Sequence, residues 1–198
     1  MRDYLGSVVS RRGHFRMESG YHADLWMDLE TLCKRPDAIR PFARQLADRL
    51  RVHDVDAVCG PLNEGAFVAL MVTEELGVDF TYAERIATAS TALFPVRYEL
   101  PQPLRPVVAS RRVAIVNDVI SAGSAVRGAY EGLIAAGATV VAIGALLVLG
   151  DAIGRFAGEH GVTVIALSRE DYSMWTPDAC PLCAAGVAIS SITGDTQV

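Results

Sequence analysis

Asn117 and Asp118 stand together at the end of the apolar run Val113-Ala-Ile-Val, and five small residues, Ser121-Ala122-Gly123-Ser124-Ala125, follow shortly after. Side by side, an amide and a carboxylate offer acceptors for a pair of vicinal hydroxyls. A Ser/Ala/Gly turn leading into a helix lets backbone N–H groups approach an anion closely, and the helix amino end favours negative charge. The hydroxyls of Ser121 and Ser124 add donors. A phosphate cradle next to hydroxyl acceptors suits a ribose 5-phosphate. Ser/Gly turns are common in proteins of alternating strands and helices, so it is the polar pair ahead of this one that sharpens the reading.

A second loop has the same character. The segment Gly60-Pro61-Leu62-Asn63-Glu64-Gly65-Ala66 carries a glycine near each end and again aims backbone N–H groups at an anion. Glu64 is an unexpected neighbour for a diphosphate unless a bridging Mg²⁺ lies between them. No Gly-x-x-x-x-Gly-Lys run occurs, which argues against a nucleoside-triphosphate P-loop.

Positioning both loops requires strands that end where the loops begin. Val113 onward reads as a buried parallel strand, and Val126, Ala129, Tyr130, Leu133 and Ile134 as the apolar stripe of the helix after it. Val55–Cys59 is a strand feeding the first loop, followed by a helix through Ala69, Leu70, Val72, Thr73 and Leu76. Arg35 to Arg51 is a helix with Pro36 in its first turn and Ile39, Phe42, Ala43, Leu46 and Leu50 inward. Val78–Arg85, Thr139–Leu149 and Val162–Leu167 are further strands, and Asp151–Glu159 is a short helix. Strands alternating with helices predict an α/β fold, a parallel, doubly wound sheet with helices on both faces and its ligands outside the strand carboxyl ends. Residues 1–12 are expected to form a short helix. Alternation around Phe15/Met17 and Leu25/Met27/Leu29 predicts two strands about a turn at Ser19-Gly20.

The stretch from Val113 to Arg127 resembles the phosphoribosyl-diphosphate (PRPP) motif of type I phosphoribosyltransferases, with Asn117 in place of the first acid and Asp118 as the second. The resemblance covers about residues 10 to 188 and is greatest to orotate phosphoribosyltransferases. It implies the fold of that family with an amino-terminal hood, as one domain over 1–198. Residues 1–33 would then be helix and hood, 34–170 the core with a flexible flap at 86–104, and 171–198 the tail. It further implies that Asn117, Asp118 and Ser121–Ala125 hold the ribose 5-phosphate, and that Gly60, Pro61, Leu62, Asn63 and Gly65 hold the diphosphate. Ser19, Gly20, His22 and Trp26 would meet the base. The family's hood pattern has lysine before the Ser-Gly pair in some members; Glu18 stands there, and is expected either to point away from an anionic base or to mark a different substrate. Arg85 and Arg97 are the candidates to neutralise the diphosphate beside Asp118, since Lys34 is the only lysine in the chain. Mg²⁺ would enter with PRPP rather than bind the protein directly. A homodimer is also implied. Orotate is the expected base, with a purine or other base as a variant, and a PRPP-binding regulatory protein, weakened by Asn117, as the alternative.

Composition bounds the partners. The net charge of −5 argues against a nucleic-acid surface. Although 51% of residues are hydrophobic, no apolar run reaches the length of a membrane span, and the charged amino terminus is unlike a secretory signal, so a cytoplasmic protein is expected. Cys180-Pro-Leu-Cys183 has metal-ligand spacing. A closed zinc site needs four ligands and no second Cys/His pair accompanies it in sequence, so a reduced pair at a packed turn is expected.

Overall fold

A computed structural model describes residues 10–29, 32–86 and 93–190. Its main sheet has six strands: β3 (Ala57–Pro61), β4 (Asp79–Ile86), β5 (Arg97–Glu99), β6 (Arg112–Ile120), β7 (Thr139–Leu149) and β8 (Thr163–Glu170). Their order is β5-β4-β3-β6-β7-β8. All pairings are parallel except β4 with β5, which adds an antiparallel edge.

The central strands are apolar throughout because both faces are covered. Side chains alternate between faces along a strand. Accordingly Cys59, Val113, Ile115, Ile143 and Ala145 join one core, while Val58, Ala114, Val116, Ala142 and Leu146 join the other. Helices α1 (Pro36–Leu50) and α2 (Glu64–Leu76) cover the second face through Ile39, Ala43, Leu46, Leu50, Val68 and Val72. The first face is covered by α4 (Ser124–Ala135) and α5 (Ala152–Glu159) through Val126, Ala129, Leu133, Ile153 and Phe156; α3 (Arg105–Val108) contributes Val108. Leu70 and Ile134, apolar positions of α2 and α4, are about half exposed. None of the helices among the described residues is long and apolar enough to cross a membrane.

A separate antiparallel sheet, β1 (Ser10–Arg16), β2 (His22–Met27) and β9 (Met174–Trp175), makes the hood, with β2 in the middle. Its turn closes where expected, with Gly20 at φ +83° and the Gly20 N–H donating to the Met17 carbonyl. The expected helix over 1–12 is corrected at its end: Ser10 to Arg12 are already strand, paired with Met27, Trp26 and Leu25. The rest of that segment, residues 1–9, lies outside the described residues, as do residues 87–92 of the expected flap. Beyond them the flap region contains β5, and α3 follows it. The tail forms one helical turn, α6 (Pro181–Ala184), and continues to Ser190 among the described residues.

Candidate active site

From β3 the chain steps outward to β4; it then returns to the other side of β3 as β6 and continues outward to β7 and β8. The strand order therefore reverses between β3 and β6. At such a switch point the loops leaving neighbouring strands diverge and open a crevice at their carboxyl ends. A cavity of about 490 Å³ occupies that place. Its floor is Pro61–Gly65 after β3 and Asn117–Ile120 at the tip of β6, continuing through Ser121 and Gly123–Val126. Its opposite wall is the hood, through Arg16–Ser19, Trp26 and Met27.

The floor is held together by close backbone approach. A Cβ on Gly65 would lie 1.9 Å from Asn117 Oδ1, so only glycine lets α2 begin against the tip of β6. A Cβ on Gly60 would meet the Ala66 Cα at 2.5 Å. The Asn117 amide donates from Nδ2 to the Val119 carbonyl at 2.9 Å, which fixes the strand tip. Gly123, at φ +83°, is the residue from which α4 starts. Arg127 braces the turn from behind. Its Nε donates to the Ala122 carbonyl at 3.3 Å, and its guanidinium lies over the rings of Phe94 and Phe156.

Asp118 is buried, and its Oδ2 has no hydrogen-bond partner. Burial, with Glu64 adding like charge, pushes its carboxyl up to about 7 against the weaker pull of backbone N–H donors. An unpartnered carboxylate oxygen is costly unless something arrives to satisfy it. Asp118 is among the residues that line the cavity, and this oxygen is an acceptor without a donor.

Of the residues expected to hold PRPP, Asn117, Asp118, Ser121, Gly123, Ser124, Ala125, Pro61, Leu62, Asn63 and Gly65 line the cavity. Ala122 faces a neighbouring hollow instead, and Gly60 serves by its closeness to Ala66. Among the residues expected to meet the base, Ser19 and Trp26 line the cavity. Gly20 shapes the turn. His22 is turned toward His14 and Cys183, with Nδ1 at 2.9 Å from His14 Nε2 and 3.2 Å from Cys183 Sγ.

Two further expectations are corrected. Glu18 does not point away: it lines the cavity, held by Arg85 Nε at 3.1 Å and by the Tyr98 hydroxyl at 3.3 Å. Because β4 and β5 pair Arg85 opposite Tyr98, the two donors converge on that one carboxylate. Arg85 is therefore committed to Glu18, and Arg97 pairs with Glu99 at 3.1 Å on the exposed edge strand. The cation that does line the cavity is Arg16, at the end of β1. Its signal in the sequence was its position three residues before Ser19-Gly20 and two before Glu18, where the family's lysine would stand. Tyr98 and Tyr172 also line the cavity, and no local pattern marked them.

No family model matches the chain. An orotate phosphoribosyltransferase of Heliobacterium modesticaldum is 31% identical over 187 residues, covering 92% of this chain and 90% of that protein. Among solved structures, orotate phosphoribosyltransferase from Aeropyrum pernix superposes with a TM-score of 0.61 at 22% identity, over 85% of this chain and 90% of that one. Adenine phosphoribosyltransferase from Trypanosoma brucei, in complex with AMP, pyrophosphate and ribose-5-phosphate, superposes with a TM-score of 0.63 at 17% identity, over 85% of this chain and 78% of that one.

Proposed function

We propose that this chain, which belongs to the orotate phosphoribosyltransferase family, transfers the ribosyl 5-phosphate of PRPP to orotate, releasing diphosphate and forming orotidine 5'-monophosphate. The observation that carries the reading is the buried Asp118 carboxyl, with one oxygen unpartnered, among the residues that line a cavity at the switch point between two small-residue loops.

Breaking the bond between C1 and the diphosphate oxygen builds positive charge on the ribose ring. Asp118, ionised and accepting from the ribose hydroxyls, stabilises that charge from a fixed position, and such preorganised contacts supply much of the barrier reduction. The turn from Ser121 to Ala125 grips the 5-phosphate through backbone N–H groups and the two serine hydroxyls. Pro61–Gly65 takes the diphosphate. Arg16, the cation on the hood side of the cavity, would meet the carboxylate of the base. The oxygen-rich floor, with the carboxylates of Asp118 and Glu64 both lining the cavity, suits a hard cation such as Mg²⁺. When bound with PRPP, Mg²⁺ would neutralise diphosphate charge and tolerate Glu64 beside it. Excluding water from the site protects PRPP from hydrolysis, the task the resemblance gives to the flap. The same reading includes a cytoplasmic homodimer, for which gel filtration at working concentration is the check.

Incubation with PRPP, Mg²⁺ and orotate should consume orotate, followed by its loss of absorbance. A second reading, a PRPP-binding protein without turnover, is favoured by one observation: Arg85 and Arg97 are both tied in ion pairs. PRPP binding without orotate loss would select it. Adenine consumed in place of orotate would move the assignment to a purine substrate.

A further inference from the structure

His14 lies on β1, His22 opens β2, Cys180 immediately precedes α6 and Cys183 lies within it, so these four residues come from three separate places in the chain. Folding brings them into one cluster. One ligand atom of each lies within 4.8 Å of all the others. Cys183 Sγ is 3.2 Å from His22 Nδ1 and 3.7 Å from His14 Nε2, Cys180 Sγ is 3.5 Å from His14 Nε2, and the two ring nitrogens are 2.9 Å apart. The expectation that Cys180 and Cys183 lack a second pair is thereby corrected: the pair is supplied by the hood, more than 150 residues away in sequence.

We propose that His14, His22, Cys180 and Cys183 form a tetrahedral zinc site that clamps the tail onto the hood. Zn–S bonds of about 2.3 Å and Zn–N bonds of about 2.0 Å at tetrahedral angles put sulfur and nitrogen ligands roughly 3.5 Å apart. Three of the four sulfur–nitrogen separations bracket that value, and the widest spacing in the cluster, up to 4.8 Å, closes by about 1 Å when an ion draws the ligands in. Two thiolates and two neutral imidazoles balance the dication, which suits a cluster whose His14, His22 and Cys180 are buried. Tetrahedral S₂N₂ donation selects zinc among the common divalent ions.

The surroundings of His14 fit a ligand role. Its Nδ1 lies 2.7 Å from the Val187 carbonyl. A carbonyl can only accept, so Nδ1 carries the proton and Nε2 presents its lone pair to the cluster. A hydrogen bond of this kind commonly orients a metal-bound imidazole. A second tie, from the Ser190 N–H to the His14 carbonyl at 2.6 Å, holds the tail against the same residue. Cys183 is exposed and gives an ion a route in.

The position gives the clamp a purpose. The segment between His14 and His22 contains Arg16, Met17, Glu18 and Ser19, the four hood residues that line the cavity ahead of β2. Fixing both ends of that segment to the tail fixes the wall they form. The zinc site does not depend on which base the cavity accepts, because its readouts are metal content and spectrum.

Native protein purified without a metal-binding tag should carry about one zinc per chain by mass spectrometry of the ion. After extraction of zinc with a strong chelator, one equivalent of Co²⁺ should give the intense visible bands of a tetrahedral site and a thiolate charge-transfer band in the near ultraviolet. The double variant Cys180→Ser/Cys183→Ser should lose both zinc and the charge-transfer band, while His53→Ala, outside the cluster, keeps them. Chelation should lower the Tm, and added zinc restore it. If the double variant fails to fold, the cobalt spectrum of the wild-type chain decides. Zinc far below one per chain with no tetrahedral cobalt spectrum overturns the proposal, and so does a cobalt spectrum that survives the cysteine replacements in folded protein.

Discussion

The two sides of the cavity are built in different ways. The floor is local: Asn117 to Ala125 is one strand tip and one turn, and Pro61 to Gly65 is another. The hood wall is assembled at a distance. It needs β1 and β2 from the beginning of the chain, β9 and α6 from its end, and the Glu18–Arg85–Tyr98 contacts from its middle. A site formed by neighbours in sequence keeps its geometry as long as its own backbone does. One formed by distant segments depends on everything that brings them together. The floor should therefore answer to substitution through chemistry, and the wall through order.

The sharpest test of the floor is Asp118→Asn. Turnover should fall by roughly a hundredfold to a thousandfold, with PRPP affinity much less affected, because the lost charge matters chiefly when the ribose becomes cationic. Steady-state kinetics and direct PRPP titration separate the two. Stability should move the other way. Asp118 is raised from 3.8 in the unfolded chain to about 7 in the fold, so its protonated form is favoured by folding. That stabilisation is fully present below pH 3.8 and is lost as the pH rises to about 7, a difference of up to roughly 4 kcal/mol. Asparagine, which cannot ionise, should therefore raise the Tm at pH 8 and leave it nearly unchanged at pH 4. Orotate turnover in the wild-type chain should rise with pH through the same range as the carboxylate forms. A Tm at pH 8 lowered by the substitution would show that the buried carboxylate is satisfied, and would remove the floor's preorganised acceptor.

Next in size is Gly65→Ala. The added methyl would overlap Asn117 Oδ1, so α2 and the β6 tip must separate, at a cost of about 1–3 kcal/mol by overpacking. The loss should be partly relieved in Gly65→Ala/Asn117→Ala, which removes the group struck. Chemical denaturation of both variants measures the coupling. Strictly additive losses would mean that the two loops do not lean on each other.

Much of this was legible in advance, and the reason is the same locality. Apart from the short edge strand β5, the strands from β3 to β8 announce themselves by apolar runs, and the strand at Thr139–Leu149 falls on its expected residues because both of its faces are buried. The polar pair Asn117-Asp118 and the small-residue turn could be read directly, since the chemistry and the backbone that positions it are contiguous. Three matters could not be read. Cys180-x-x-Cys183 gives no sign that its partners are His14 and His22, because sheet pairing between β1, β2 and β9 sets that meeting. Glu18 looked unhelpful as an isolated charge, and only the Arg85–Tyr98 register shows how it is held. Arg85 and Arg97 looked free because ion pairing is invisible without side-chain neighbours. Asn117 lies between these cases. It was read as a missing carboxylate, but its amide donates to the Val119 carbonyl, a bond an aspartate could not make. Asn117→Asp should thus lower stability by about 1–2 kcal/mol, as a carboxylate is set against a carbonyl, rather than simply repair the site.

The smallest expected effect falls on the wall. Glu18→Gln replaces an ion pair between half-exposed partners, and surface pairs of this kind contribute about 0–1 kcal/mol, so the Tm should barely move. Its functional effect should be larger than its effect on stability. The Glu18 carboxylate lines the cavity where an anionic base would enter, and Arg85 is drawn away from that space to balance it. Glutamine keeps an acceptor for the Tyr98 hydroxyl while removing the negative charge. KM for orotate should then fall while kcat stays near its original value, since the change acts on entry of the base and leaves Asp118 and the phosphate turns untouched. An unchanged KM would mean that Arg85 already cancels Glu18 as seen from the cavity. A drop in kcat would instead show that the wall, like the floor, takes part in the chemistry, and the division between the two sides would no longer hold.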